Sequence, residues 1–138
     1  MNIPRLFLAI VVGFLVIFGT DYLIHAVWLM PDYKATASLW RPDAEMQTHF
    51  LWMLLAQFLC AATFVIVWAK GFAGRPISCG ITFGLIMGMF QQVWVMINYV
   101  VMPMPGDLAV KWYISGLAQA VLIGMVAALL YKPRTAGS

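Results

Sequence analysis

Residues 6–30 read LFLAIVVGFLVIFGTDYLIHAVWLM, and this stretch decides the fold class. It is longer than the roughly 20 apolar residues that an α-helix needs to cross the hydrocarbon core of a bilayer. It contains a single carboxylate, Asp21, and His25 follows four residues later. An ionisable residue at membrane depth is costly and usually faces a partner, a cavity or a pathway. Asp21 is therefore the first candidate for a functional residue.

Three further apolar runs follow, and the composition of the whole chain agrees with them. With 64% hydrophobic residues, 9% charged residues and a mean hydropathy of +0.91, the chain does not fit the class of soluble globular domains. Since lipid forces the backbone to satisfy its own hydrogen bonds, each run is predicted to be a helix. The prediction is one all-α membrane domain over residues 1–138, an antiparallel bundle of four transmembrane helices whose consecutive spans are neighbours. The predicted spans are residues 6–30, 50–69, 77–102 and 112–131. Between the first two, residues 31–46 are long enough to form an interfacial structure.

The basic residues predict the orientation of the chain. The rim that holds both termini carries more of them than the opposite rim, so the positive-inside rule places both termini in the cytoplasm. The inner set is Arg5, Lys70, Arg75, Lys132 and Arg134, and the outer set is Lys34, Arg41 and Lys111. Every acid except Asp21 falls in the two outer connections. We expect the basic rim to contact lipid, not nucleic acid, and the protein to lie in a bacterial inner membrane.

A weak internal repeat is also visible. A shift of 62 positions places Glu45 on Asp107, Gln57 on Gln119 and Lys70 on Lys132. The shift predicts two duplicated helical hairpins in the same orientation, related by an axis along the membrane normal.

Small residues recur every four positions on spans 3 and 4. Span 3 carries Gly80, Gly84 and Gly88, while span 4 carries Gly116 and Gly124 with Ala120 and Ala128 between and after them. Such flat faces let helix backbones approach closely in lipid. They predict close helix packing, either inside the bundle or, in a second interpretation, at the interface of a homodimer.

Polar side chains form a predicted layer about 10 to 15 Å below the outer surface, counted at 1.5 Å per residue. Its members, one per span, are Asp21, Gln57, Gln92 or its neighbour Gln91, and Gln119. On an α-helix, Asp21 and His25 share a face and could form an ion pair or share a proton. Two interpretations stay open, namely a hydrogen-bond network that holds the helices together and an outward-opening polar pocket that binds a ligand or a proton.

The residues leave several functions open. The leading hypothesis is a non-enzymatic membrane protein that binds a small ligand or a partner in the polar pocket. The alternatives are a proton-coupled small-molecule transporter that uses Asp21, and an accessory subunit of a larger membrane complex. The chain contains no HExxH, P-loop or Gly-rich dinucleotide motif, so an enzyme is not predicted.

Two metal hypotheses come from residues near the outer surface. His25 and His49 are predicted on adjacent spans and could ligate a haem iron axially. Thioether and imidazole groups suit Cu(I), and Met30, Met46, Met102 and Met104 are predicted at the same face. Cys60 and Cys79 have no metal-binding spacing and are expected to be free thiols.

The chain resembles a group of bacterial four-span inner-membrane proteins that have no assigned activity. The resemblance rests on the end of span 1 at Trp28, the Trp40-Arg41-Pro42 element, Asn98-Tyr99 at the end of span 3 and Trp112 at the start of span 4. It implies the four-span fold and the inner-membrane location, and it implies no activity.

Overall fold

A computed structural model describes residues 1–133 of the chain, and this part consists of helices and turns without a strand. Arg134, one of the basic residues that predict the orientation, lies outside the described residues. The helices in chain order are α1 (Ile3–Asp21), a π-helical segment (Tyr22–Trp28), α2 (Met30–Ala35), a 3-10 turn (Ala37–Leu39), α3 (Asp43–Thr48), α4 (Phe50–Gly71), α5 (Ile77–Val101) and α6 (Gly106–Leu130).

Four of the helical stretches in the described residues are long and apolar enough to cross a membrane. They are Ile3–Trp28, which joins α1 to the π-helical segment, and the helices α4, α5 and α6. These stretches confirm the all-α four-span fold and a multi-pass membrane protein. The bounds differ from the predicted ones mainly in span 4, which starts at Gly106 because the helix begins directly after Pro105.

The connection between spans 1 and 2 has the structure of its own that its length predicts. Helix α2, the 3-10 turn and helix α3 follow one another there. Leu29, just before α2, is fully buried against Met104 and Leu108, and Ala109 completes this outer core. The outer connection therefore folds back over the beginning of α6.

Helix α6 lies at the centre of the bundle, because it packs against α1, α4 and α5. Helix α1 also packs along α4. Helices α4 and α5 are neighbours through their side chains, as consecutive spans are predicted to be, but their backbones scarcely approach each other. Phe64 and Trp68 of α4 meet Phe83 of α5 with ring centroids 5.3 and 5.5 Å apart. These large rings stand between the two helices and hold the backbones apart.

Helices α5 and α6 pack through the glycine stripe. A Cβ atom placed on Gly84 would lie 2.5 Å from the carbonyl oxygen of Ala120, and one on Gly80 would lie 2.6 Å from the carbonyl oxygen of Gly124. Gly88 lies against Ala120 and Leu117 in the same way. The glycine faces of the two helices therefore cover each other, as the packing interpretation predicts. The homodimer stays a prediction.

The inner end of the bundle brings the two described ends of the chain together. The backbone N–H of Asn2 donates to the hydroxyl of Tyr131 at 3.4 Å, and the Tyr131 side chain is fully buried. Tyr131 and Trp68 belong to the large core that runs through the inner half of the bundle. Both ends of the described chain therefore lie on one side of the membrane-spanning region.

The packing follows the predicted duplication only in part. The hairpin of α1 and α4 and the hairpin of α5 and α6 are each closely packed, as two copies would be. A twofold axis would also make the contact between α4 and α5 equivalent to the contact between α1 and α6, and these two contacts differ. The duplication stays a prediction.

Candidate functional site

Asp21 lies at the end of α1 and joins three helices. Its Oδ2 atom accepts a hydrogen bond of 2.6 Å from the Gln57 amide of α4, and its Oδ1 atom accepts one of 2.8 Å from the Gln119 amide of α6. The two glutamines are the pair that the 62-residue shift superposes. The Asp21 side chain is half-buried, whereas Gln57 is only 6% exposed. No ion pair involves Asp21 within residues 1–133.

The last turn of α1 is bound by side chains as well as by its own backbone. The hydroxyl of Thr20 donates to the carbonyl of Val16 at 2.6 Å, and the Gln119 amide nitrogen lies 2.6 Å from that hydroxyl. Bonds from Thr to the carbonyl four residues back often bend helices. The helix becomes π-helical directly after Asp21, and Leu29 donates to Ile24, five residues back, at 2.8 Å. π-helical turns are rare in proteins as a whole, and those that occur are often found at functional sites.

The predicted pairing of Asp21 with His25 is absent from the described residues, which contain no hydrogen bond or ion pair between them. The pairing assumes an α-helix, in which residues four apart share a face. In the structure the segment after Asp21 is π-helical, Asp21 is bound to two glutamines, and His25 is bound to Tyr33. Asp21 therefore points to α4 and α6, and His25 belongs to a different cluster.

That second cluster consists of His25, Tyr33, Trp40 and Trp112, and we call it the aromatic cap. The indole N–H of Trp112 donates to the Tyr33 hydroxyl at 2.8 Å, and the Nδ1 atom of His25 lies 2.5 Å from the same hydroxyl. Because an indole N–H can only donate, Tyr33 accepts from Trp112, while the direction of its bond with Nδ1 depends on the tautomer of His25. The ring of Trp40 lies 5.5 Å from that of Tyr33 and 5.7 Å from that of Trp112.

The aromatic cap is fixed to α6 by charge as well. Lys111 donates to Asp32 of α2 at 2.7 Å, and the carboxylate of Asp107 lies 3.6 Å from the same ammonium group.

Burial raises the pKa of the Tyr33 phenol to about 12; the hydrogen bond from Trp112 acts in the opposite direction, and the negative charges of Asp32 and Asp21 add to the increase. The phenol is therefore neutral at physiological pH.

The third predicted glutamine lies away from Asp21. Gln92 of α5 is buried and its amide group packs on Gly116, and no hydrogen bond of this side chain is present within residues 1–133. Its neighbour Gln91 is exposed and donates to the sulfur of Cys60 at 3.4 Å. Within residues 1–133 α5 packs most closely on α6, and neither glutamine forms a hydrogen bond with α1. The predicted four-residue layer is therefore a cluster of three side chains in the structure. Its members, from α1, α4 and α6, are Asp21, Gln57 and Gln119.

The candidate metal ligands are separated and have other partners. Nδ1 of His49 lies 2.9 Å from the carbonyl of Glu45, on the exposed outer connection, while Nδ1 of His25 is bound to Tyr33. Met104 is buried in the outer core, and Met102 is half-buried after the end of α5. Residues 1–133 contain no group of three His, Cys, Asp or Glu side chains that could hold a metal ion. The haem and Cu(I) hypotheses stay predictions.

The aromatic cap lies at the end of the bundle towards which the pocket is predicted to open. Trp112 is seven residues before Gln119 on α6, so the cap is about 10 Å nearer the outer end than the Asp21 cluster. Two cavities, of about 310 and 540 Å³, lie between α4 and α5, and Asp21 lines neither of them. The opening itself stays a prediction. The hydrogen bond between Tyr33 and Trp112 joins residues 79 positions apart, and no local sequence pattern indicates it.

No protein-family model matches this chain, and no curated protein or solved structure matches it significantly.

Proposed function

We propose that this multi-pass membrane protein binds a small cationic ligand at the Asp21 cluster. One observation carries the proposal: the cluster joins a carboxylate at membrane depth to a buried carbonyl oxygen, Oε1 of Gln57, that has no hydrogen-bond donor within the described residues. The carboxylate carries a negative charge and the amide oxygen is a neutral acceptor, and no cationic side chain within residues 1–133 is bound to either. A small cation would supply the positive charge and the contact to the carbonyl oxygen that this site lacks.

The energetics favour a ligand at this position. An uncompensated charge inside a membrane costs several kcal/mol, and an unsatisfied buried carbonyl costs roughly a further 1 to 3 kcal/mol. The amides of Gln57 and Gln119 offset part of the cost for Asp21, but each is a neutral donor. Asp21 is half-buried, so a ligand can reach its carboxylate without unfolding the bundle.

The amide of Gln57 places a second acceptor beside the carboxylate of Asp21. Its N–H group faces that carboxylate, which leaves its oxygen without a donor. A cation bound at Asp21 can therefore also be contacted by the Gln57 oxygen.

The experiment measures the unfolding temperature of the detergent-solubilised protein against the concentration of sodium, ammonium or guanidinium chloride. A ligand that binds only the folded state raises this temperature as its concentration increases. We expect at least one of the three cations to do so in the wild type and not in Asp21→Asn. Asp43→Asn is the matched control, because Asp43 is an exposed acid without a side-chain hydrogen bond in the described structure.

Choline chloride controls for ionic strength with a larger cation. Equal responses of the wild type and Asp21→Asn to all three small cations would refute the proposal. A response that Asp43→Asn also loses would show general charge screening and would refute it as well.

The second candidate is a proton-coupled transporter, and the π-helical segment is the observation that favours it. Tyr22–Trp28 follows Asp21 directly and has no buried residue. A change from π-helix to α-helix there would rotate His25 relative to Asp21 and so link the charge of Asp21 to the aromatic cap. Proton uptake by proteoliposomes that is driven by a substrate gradient and lost in Asp21→Asn would distinguish transport from binding alone.

The orientation and the membrane are part of the same proposal. Lys70, Arg75 and Lys132 lie at the inner end, and four of the five acids lie at the outer end, so both termini are proposed to be cytoplasmic in a bacterial inner membrane. A reporter fused after Ser138 should be active in the cytoplasm, and one inserted at Ala37 should be active in the periplasm. Periplasmic activity of the first fusion would reverse the orientation.

A further inference from the structure

Helices α4 and α5 enclose a groove that the rest of the bundle does not fill. The smaller cavity is lined by Cys60, Phe90 and Gln91, and the larger one by Arg75, Ser78 and Thr82, among others. Both are lined by Met87, so the two cavities are adjacent along α5, and we call them together the groove. The groove exists because aromatic rings hold α4 and α5 apart, as described above.

The groove has the length and width of a lipid chain. From Ser78 to Gln91 it extends along roughly 20 Å of helix, which exceeds the depth of one leaflet, about 15 Å. The larger cavity, about 540 Å³, spans roughly 13 Å of α5 between Ser78 and Met87, which gives a slot roughly 7 Å wide. An α-helix with its side chains is about 10 Å across and does not fit such a slot.

The inner end of the groove is positively charged and has no protein counter-ion. Arg75 is exposed there and forms no ion pair within residues 1–133. The nearby Lys70 is also exposed and without an ion pair in this part of the chain. All five acidic residues lie elsewhere: Asp21 inside the membrane-spanning region, and Asp32, Asp43, Glu45 and Asp107 at the outer end.

We propose that the groove binds one anionic phospholipid, with the phosphate at Arg75 and an acyl chain along Phe83 and Met87. The guanidinium group of Arg75 can bind a phosphate through two parallel hydrogen bonds, and the hydroxyl of Ser78 can donate a third. The slot beyond them is lined mainly by apolar side chains such as Val67 and Ile86. The polar contact between Gln91 and Cys60 marks the far end, where the chain stops. This site is separate from Asp21, and the proposal does not depend on the proposed function.

Retention of lipid by the detergent-solubilised full chain tests the proposal. Native mass spectrometry measures how much phosphatidylglycerol stays bound compared with phosphatidylcholine, which carries no net charge. We expect the wild type to prefer phosphatidylglycerol, and Arg75→Gln to bind it roughly fivefold more weakly, the effect of one basic residue at an anionic surface. Lys34→Gln is the matched control, an exposed cation of the outer connection that should leave binding unchanged.

A second variant separates the slot from the charge. Thr82 is exposed and lines the larger cavity, so Thr82→Trp should fill the groove, keep the fold and displace the lipid while Arg75 remains. Equal retention of phosphatidylglycerol by the wild type and Arg75→Gln would overturn the proposal, and so would equal retention of the two lipids by the wild type. A dimer mass that Thr82→Trp abolishes would show that a second copy occupies the groove and would also overturn it.

Discussion

The contact between α5 and α6 gives the sharpest test of the fold, through the substitution Gly84→Ala. The added methyl group would lie 2.5 Å from the carbonyl oxygen of Ala120 and 2.7 Å from Cα of Val121, both of which are backbone atoms. An ordinary contact needs about 3.5 Å or more, so the two helices must separate by roughly 1 Å. No side chain can rotate to relieve the clash, because the obstruction is the backbone of α6.

The magnitude follows from two opposing effects. Overpacking a close contact costs about 1 to 3 kcal/mol, and replacing glycine by alanine in a helix returns roughly 0.5 to 1 kcal/mol. We expect a net loss of about 1 to 2 kcal/mol in the free energy of unfolding. The assay is reversible unfolding in mixed micelles of mild detergent and sodium dodecyl sulfate, followed by circular dichroism.

Gly19→Ala is the matched control, because a Cβ atom at Gly19 in α1 has no other atom within 4 Å. This variant should be as stable as the wild type or slightly more stable. If Gly84→Ala and Gly19→Ala change the free energy of unfolding by the same amount, α5 does not pack on α6 through its glycines. The central position of α6 would then be wrong as well.

Two other predictions concern the polar residues. Asp21→Asn should raise the free energy of unfolding by about 1 kcal/mol in the absence of added cations, because the amide removes an uncompensated charge from membrane depth, whereas Asp43→Asn should have no effect. A loss of stability in Asp21→Asn would show that the two hydrogen bonds to the carboxylate outweigh the cost of its charge. The pKa of Tyr33 predicts that stability falls as the pH rises from about 10 to about 12, because the unfolded chain loses the phenolic proton first. Tyr33→Phe should reduce this fall, and an identical pH profile for the variant in the same unfolding assay would show that Tyr33 is not buried in the aromatic cap.

Residues 6–30 and the three later apolar runs were enough to predict the four spans, because the requirement that lipid places on a spanning segment is local. A helix of about 20 apolar residues satisfies its own backbone hydrogen bonds in lipid wherever its neighbours lie. The glycine faces of α5 and α6 were predictable for the same reason, because small residues at every fourth position indicate such a face from the sequence alone. Asp21 was recognisable because a carboxylate inside an apolar run is exceptional at any position.

The partners of these residues depended on the tertiary structure. The sequence placed Gln57, Gln92 and Gln119 at one depth, but rotation about each helix axis decided that two of them bind Asp21 while Gln92 packs on Gly116. His25 bonds to Tyr33 and not to Asp21, which no i, i+4 pattern could show.

The sequence by itself determined the class of protein, the four spans and the residues able to carry chemistry, because each follows from the cost of placing a given side chain in lipid. The tertiary structure alone decided that α6 is central, that Phe83 holds α4 and α5 apart, and that Tyr33 joins His25 to Trp112. These features depend on how side chains from distant parts of the chain fit together. Hydrophobicity is nearly uniform along the spans and does not specify that fit.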